Sequence, residues 1–293
     1  MKDMAIGLID IGGTSIKFGI WAKTAVHDQH AVATPQTLSA FLTLISNEVA
    51  AMKETSTITG VGISTAGVVD VTTGIISGAG AADYTHGRPL ISELTERFGV
   101  PVSIENDANC AALGEATYGA AKGISDVVVL VIGTGVGGAV ILDGRVRHGA
   151  HLLGGEFGYM LTDAALTVSR GGTAVNMALA YSADHPDEVP VSGRDLFDRA
   201  AQGDSTSAQY LQRMNEVLAR TIFNLQYSID PTCFVLAGGV SANPAFLPGV
   251  SAALDDVMTT VAIAPVRPDV RIAQFRNDAN LVGAAVHYLQ QHA

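Results

Sequence analysis

Apolar residues fall along this chain in runs of two kinds, and the order of the runs predicts its elements. Residues 5–10 are a short apolar stretch ending on an acid, Gly12-Gly13-Thr14 interrupts it, and 15–22 alternates around Ile16, Phe18 and Ile20. A period of two predicts strands, so the chain opens as strand, glycine turn, strand, with a third strand over 26–34. Leu38, Phe41, Leu42, Ile45, Val49 and Met52 then recur at helical spacing. A strand over 58–64 follows, then 68–76 with a turn at Thr72-Thr73-Gly74, a short helix after Pro89, a strand over 102–105 and a helix over 106–118. The pattern then restarts. Residues 126–132 are a β-branched strand, Gly133 to Gly138 a glycine-rich turn and 139–142 the return strand, with Asp143-Gly144 closing a tight hairpin into 145–148. A long helix over 206–229, a strand over 233–237 that ends at Gly238-Gly239, and a terminal helix over 277–291 complete the reading. Strands interleaved with helices predict an α/β fold, and two halves that each begin with strand, glycine turn and strand suggest an internal duplication.

Composition narrows the class. At 293 residues the expectation is two domains, and 48% hydrophobic residues supply cores for both. The boundary falls near 118–123: an N-terminal lobe of 1–118 with the helix 277–291 packed back on it, and a larger C-terminal lobe of 119–276. Seventeen basic against 28 acidic residues leave −11, which disfavours binding to a nucleic-acid backbone and requires any polyphosphate to be held by local features. Cys110 and Cys233 form neither a ligand cluster nor a disulfide framework, which fits a reducing, cytoplasmic setting. The charge-free stretches 127–142 and 231–254 are too short or too broken by glycine and proline to span a membrane, and the first residues read as a strand rather than a signal peptide. The long helix around Met214 is either wholly core or partly the face of a homodimer.

Gly133-x-Gly135-x-x-Gly138 satisfies a dinucleotide fingerprint in letters only. The fingerprint requires a helix after the last glycine, and here β-branched residues and the Asp143-Gly144 hairpin follow, so a nicotinamide oxidoreductase is set aside. The informative feature is the pair of turns at equivalent places in the two halves, Asp10-Ile-Gly-Gly-Thr14 and Gly133-Thr-Gly-Val-Gly-Gly138. Without a Cβ, and with positive φ open to them, Gly12, Gly13, Gly133, Gly135 and Gly137 can bring backbone N–H groups to phosphate oxygens, and Thr14 and Thr134 add hydroxyl donors. Asp10, at a strand end, suits Mg²⁺ held through water. Lys17 is the nearest cation, with an exposed strand lysine as its plainer reading. Paired phosphate turns from two lobes facing a cleft describe the actin-like ATPase (ribonuclease H-like) arrangement.

Five motifs in order, Asp10-Ile-Gly-Gly-Thr14, Glu105-Asn-Asp-Ala-Asn109, Gly133-Thr-Gly-Val-Gly-Gly138, Gly155-Glu-Phe-Gly158 and Ala237-Gly-Gly-Val240, resemble the ROK family of sugar kinases and related repressors over essentially the whole chain. The resemblance implies ATP with Mg²⁺ as cofactors and a small-molecule sugar as acceptor. It implies Asp107 as the catalytic base, and Asn106, Glu156 and the position of Tyr159 beside the sugar. Gly238 and Gly239 would wall the adenine and ribose. An N-cap is the plainer reading of Asn106 or Asp107. Glu156 lies among Leu152, Leu153, Phe157 and Met160, and an acid in so apolar a stretch usually has a specific polar partner. Family members commonly carry histidine where this chain has Tyr159, then a cysteine cluster that binds zinc. With no cysteine between Cys110 and Cys233, that zinc site cannot form, and His148-x-x-His151 reads as solvated or hydrogen-bonded rather than as a replacement. The zinc-less form is most similar to the bacterial β-glucoside kinases, which phosphorylate the 6-hydroxyl of the non-reducing glucose of disaccharides such as cellobiose. Loss of histidine at 159 argues against glucokinase or N-acetylmannosamine kinase. The loop 79–88, with Asp83, Tyr84 and His86, is expected to border the sugar. Two further rivals are a sugar-responsive repressor, for which strand one beginning near Ala5 leaves no room for a helix-turn-helix, and an actin-like ATPase without a sugar acceptor.

Overall fold

The computed structural model describes residues 4–78, 80–163, 165–275 and 278–292. The alternating opening of the chain folds as β1 (Met4–Ile11), β2 (Ser15–Ala22) and β3 (Ala25–Ala33), followed by α1 (Leu38–Thr55), β4 (Thr57–Thr65) and the small hairpin β5 (Val68–Val69) and β6 (Ile76–Ser77). Then come α2 (Leu90–Phe98), β7 (Val102–Asn106) and α3 (Asp107–Thr117). The second series is β8 (Val127–Ile132), β9 (Val136–Leu142), β10 (Arg145–Val146), α4 (Val168–Gly171), α5 (Ala174–Asp184), α6 (Gly193–Ala201), α7 (Ser205–Ile229), β11 (Cys233–Ala237), α8 (Phe246–Thr260) and β12 (Val270–Ile272). The chain closes with α9 (Ala279–Gln291). Asn277, expected in the last helix, lies outside the described residues, as does Ala79 of the loop 79–88.

Two compact units result. One takes in Met1–Lys122, His148–Leu153 and Asn277–Ala293, the other Gly123–Arg147 and Gly154–Arg276. The first unit is built on a sheet of order β3-β2-β1-β4-β7, and the second on a sheet of order β10-β9-β8-β11-β12. In both sheets the first two pairings are antiparallel and the last two parallel. The same order and the same strand directions, produced twice by one chain, make this the duplicated actin-like ATPase fold, a ribonuclease H-like core repeated.

Each sheet is covered for a reason visible in its sequence. Phe41, Leu42, Ile45, Val49 and Met52 of α1 are all buried on the first sheet, and the Thr37 side chain caps this helix by accepting from Ala40 N–H. The opposite side of that sheet is met by α9, which also packs on α3. Along α3, every residue from Asn109 to Ala116 is buried, so no amphipathic stripe marks it. Small residues permit the approach of α3 and α9: a Cβ on Gly283 of α9 would overlap the carbonyl of Cys110 on α3. In the second unit, α7 buries Leu211, Met214, Leu218, Ile222 and Leu225 beneath Phe234 and Leu236 of β11. Asp230 ends α7 in a left-handed conformation, φ 55°, with Pro231 next. Asp143 and Gly144 both take positive φ, 53° and 72°, and join Leu142 to Arg145 as a two-residue hairpin.

Two boundaries differ from expectation: His148–Leu153, expected in the C-terminal lobe of 119–276, belongs to the first unit, which runs to Lys122, and the start of the return strand shifts. The return strand β9 begins at Val136, not at 139, so the turn is only Gly133-Thr134-Gly135, closed by Gly133 N–H to the Gly135 carbonyl at 2.9 Å. Gly137 and Gly138 are paired strand residues opposite Val131 and Leu130. Among the described residues no helix is long and apolar enough to cross a membrane.

Candidate active site

In the first unit, the polar residues gather at the C-terminal ends of β1, β4 and β7. Asp10 is only 6% exposed. Its Oδ1 accepts from Ser64 Oγ at 2.8 Å and from Asn280 Nδ2 at 3.1 Å, and its Oδ2 faces Lys17 Nζ at 3.4 Å, its direct cross-strand neighbour. Beyond it, Gly12 N–H donates to the Ser15 carbonyl at 3.1 Å, and Thr34 Oγ1 donates to the Gly12 carbonyl at 2.6 Å. A Cβ on Gly12 would lie 2.7 Å from that Ser15 oxygen, which is why the turn needs glycine there. Gly13 and Thr14 are exposed at its tip.

Strand β7 passes into α3 at Glu105-Asn106-Asp107. Asn106 is the N-cap: its Oδ1 accepts from Asn109 N–H at 3.1 Å, and its Nδ2 donates to the Gly67 carbonyl at 2.9 Å. Asp107 is the first helical residue, and its Oδ1 accepts from Ala108 N–H at 2.8 Å. Burial raises the Asp107 carboxyl above the ordinary value and the charge of Asp10 adds to this, outweighing the backbone hydrogen bond that favours the anion. A proton acceptor tuned upward in this way is a better base than a solvated aspartate.

Glu105 lies fully buried beneath this turn. Its Oε1 accepts from Asn106 N–H at 2.7 Å and Asn109 Nδ2 at 3.0 Å, while its Oε2 is 2.6 Å from His148 Nε2 and 3.6 Å from His287 Nδ1. Burial on its own pushes the Glu105 carboxyl up, but the His148 hydrogen bond, the charges of His287 and His148, and the Asn109 amide together hold it below its ordinary 4.5. The bond to Glu105 raises His148 above 6.5, whereas burial lowers His287. His148's contribution is complete below 6.5 and fades as pH rises through its raised value; that of Glu105 is complete above 4.5 and is lost as pH falls through its lowered value. A double-mutant cycle on melting temperature with Glu105→Gln and His148→Gln should therefore show its largest coupling between pH 4.5 and 6.5 and a shrinking one toward alkaline pH. Coupling that stayed flat from acid to alkaline pH would remove the ion pair.

In the second unit, the turn after β8 borders a cavity of about 650 Å³. Gly133 and Thr134 form one side, Gly239 and Val240 another, and Ser192, Arg194 and Phe197 at the start of α6 a third. Asn176 Nδ2 donates to the Thr134 carbonyl at 3.1 Å, and Ser169 Oγ accepts from Val136 N–H at 3.0 Å, so the turn is braced from α4 and α5. Gly238 takes φ 94°, and a side chain there would strike the Ile132 carbonyl. Gly239 has open space where a Cβ would stand.

The sequence expectations are corrected at several points. None of Gly12, Gly13, Gly133, Gly135 and Gly137 adopts positive φ, and among them only Gly12 lacks room for a Cβ, while Gly135 is tight against Ser169. Gly138 serves packing: a Cβ would lie 2.6 Å from the Phe157 ring and 2.5 Å from the Val129 carbonyl. Phe157 and Gly158 are buried against β9, and this turns Glu156 outward; it is exposed, as are Leu153 and Tyr159, the last at 78%. The apolar setting inferred for Glu156 is therefore not its environment: of its apolar neighbours in sequence only Phe157 is buried, and Leu153 is itself exposed. Tyr84 is half-buried with its ring against Phe41 and its hydroxyl on the Pro35 carbonyl, so it serves the first core. His148 is hydrogen-bonded, while His151 is exposed, and among the described residues no group of His, Cys, Asp and Glu could hold a metal ion by itself. Local hydrogen bonds tie the chain that follows: Thr162 N–H to the Leu166 carbonyl, Val168 N–H to the Met160 carbonyl, and Leu166 N–H to Asp163 Oδ1.

Sequence reasoning missed α6 and its contribution to the cavity. The signal was present as Ser192-x-x-Asp195, a capping box whose two reciprocal hydrogen bonds both form. It also missed Asn280 and His287, which no local pattern connects to Asp10 or Glu105.

A half-buried carboxylate held above its ordinary value at a helix start and a glycine-turn cavity, on a duplicated actin-like core, fit a phosphotransferase. The profile of the ROK family matches residues 6–291, and the chain belongs to the ROK family. A β-glucoside kinase of Klebsiella pneumoniae is 31% identical, over 98% of this chain and 97% of its own. A ROK family protein from Streptococcus pneumoniae TIGR4, solved in complex with sucrose, is 36% identical with a TM-score of 0.91 over 99% of each chain. A ROK family glucokinase from Streptomyces griseus, in complex with glucose and AMPPNP, is 28% identical with a TM-score of 0.78 over 96% of this chain and 98% of that one.

Proposed function

We propose that this ROK-family kinase transfers the γ-phosphoryl group of ATP to the 6-hydroxyl of a hexose unit in a β-glucoside such as cellobiose. The observation that carries the acceptor chemistry is Asp107, a half-buried carboxylate held above its ordinary value at the first turn of α3. Asp107 orients the 6-hydroxyl and takes its proton while O6 bonds to the γ-phosphorus; the bond from that phosphorus to the β–γ bridging oxygen breaks, and ADP leaves. Asn106 holds ring hydroxyls, with Glu156 and Tyr159 as further sugar-side residues. The turns at Gly12-Gly13-Thr14 and Gly133-Thr134-Gly135 offer backbone N–H and hydroxyl donors to phosphate oxygens, with Lys17 beside the first. The cavity beside Gly239 and Val240 takes the base and ribose, and its volume of about 650 Å³ suits a ligand of that size.

Mg²⁺ held through water suits Asp10, a hard-oxygen carboxylate whose Oδ1 is set by the neutral Ser64 and Asn280 while Lys17 stands 3.4 Å from Oδ2. Bound there, the ion would neutralise charge on the phosphates. The chain's own part is to fix the Asp10 carboxylate in place, which Ser64, Asn280 and Lys17 do.

The choice of a β-glucoside is supported by relatives named β-glucoside kinase and by the relative solved with sucrose, itself a disaccharide. Similarity to glucokinases favours free glucose as the second reading. Cellobiose, glucose and N-acetylmannosamine offered in one coupled ADP-release assay separate the two: kcat/KM for cellobiose should exceed that for glucose by about tenfold or more, the worth of roughly 1.4 kcal/mol of extra contact. Equal or higher kcat/KM for glucose would replace the first reading by the second.

A further inference from the structure

We propose that His148 is a positioning residue for phosphoryl transfer: through Glu105 it fixes the first turn of α3 and so the aim of the Asp107 carboxylate. This rests on the reading of Asp107 as the base. The connections are short and all within one unit. Glu105 Oε1 takes the backbone N–H of Asn106 and the side-chain amide of Asn109, and Asn109 N–H in turn caps onto Asn106 Oδ1. The residue before Asp107 and the residue two after it are therefore tied to a single carboxylate. That carboxylate is fully buried, and an ionised carboxylate is an acceptor only, so its second oxygen needs a donor. His148 Nε2–H supplies it at 2.6 Å, from the segment His148–Leu153, which is remote in sequence from β7 and α3.

Burying an ion pair contributes little net stability compared with an apolar filling of the same space. Its location directly under the Asp107 turn is better accounted for by geometry: lose the donor, and Glu105 must take up a proton or shift, and either change loosens its hold on Asn106 and Asn109. The groups facing Glu105 are His148, His287 of α9 with His292 behind it, Cys110 and Asp107 of α3 and, past Cys110, Asp10 of β1. Ser64 of β4 lies opposite in the sheet register, and α2 presents only the buried Leu90, Leu94 and Phe98. His148 is thus the cation that balances Glu105, since burial keeps His287 toward its neutral form.

The test compares pH profiles of kcat/KM for the preferred sugar in wild type, His148→Ala and His148→Gln. Without the imidazole, the buried Glu105 takes up its proton at a higher pH, so the acid limb of the His148→Ala profile should move up by about one pH unit. Plateau turnover should fall about 10- to 100-fold, the scale of a small misplacement of a reacting group. Glutamine can donate an amide hydrogen to the same oxygen and should restore turnover to within a few-fold of wild type. A space-filling role would lower melting temperature and leave the limb in place, and that result overturns the proposal. Independently of activity, the NMR titration midpoint of His148 should fall in Glu105→Gln, and an unchanged midpoint also overturns it. If Asp107→Asn keeps wild-type turnover, the base reading fails and takes this inference with it. If Asp107→Asn is inactive and the His148→Ala limb is unmoved, the positioning role alone fails.

Discussion

Asp107→Asn is expected to lower the turnover of sugar phosphorylation about 10²- to 10⁴-fold, the range over which a positioned base contributes, while nucleotide affinity stays near wild type. Asparagine keeps the size of the side chain and can still accept from Ala108 N–H through Oδ1, so the helix start remains intact. It cannot take a proton from the sugar. The substitution also carries its own control for misfolding. Burial and the charge of Asp10 raise the Asp107 carboxyl above its ordinary value, so its ionised form opposes folding at neutral pH. The variant should therefore melt at or above the wild-type temperature, as is common where a site residue is held at some expense of stability. Coupled ADP release measures the first quantity, fluorescence titration of the nucleotide the second and calorimetry the third. Turnover within a few-fold of wild type would end the assignment of Asp107 as base.

The largest stability effect is expected far from any reacting group, at Gly283→Ala. A methyl group there overlaps the carbonyl of Cys110, a backbone atom that no rotamer change can move aside. α3 and α9 must part, and α9 also covers β4 and β7, so the disturbance reaches the sheet that carries Asp10 and Glu105. Overpacking against backbone costs about 3–5 kcal/mol, at the upper end for single substitutions. The melting temperature should fall by roughly 10 °C for a unit of this size. An alanine variant within about 2 °C of wild type would show that the helices separate easily at that crossing.

How far the site was legible depended on the distance over which its residues act. The turn after Asp10 could be read because period-two strands on either side leave three residues that are neither. The start of α3 could be read because β7 runs to Asn106 and the helix begins at Asp107, with Asn106 as its cap. At Gly155-Glu-Phe-Gly158 only the burial expected for Glu156 failed, for an equally physical reason. An apolar stretch in sequence is a burial environment only if its side chains point the same way, and here Phe157 packs on β9 at Gly138 while Glu156 and Tyr159 face solvent. The extent of β9 was misjudged because glycines at 137 and 138 read as turn, although pairing with Leu130 and Val131 makes them strand.

By itself the sequence determined the strand–turn–strand units, the repeated plan, the cap of α3 and the set of polar residues available for chemistry, because each follows from residues within a few positions of one another. Only the tertiary structure decided which of those polar residues share an environment. Asn280 reaches Asp10, and His148 and His287 reach Glu105, across tens to hundreds of residues of chain. Burial and charge act through space rather than along the chain, so the upward tuning of Asp107 and the pairing beneath it exist only once the sheets and helices have closed around them.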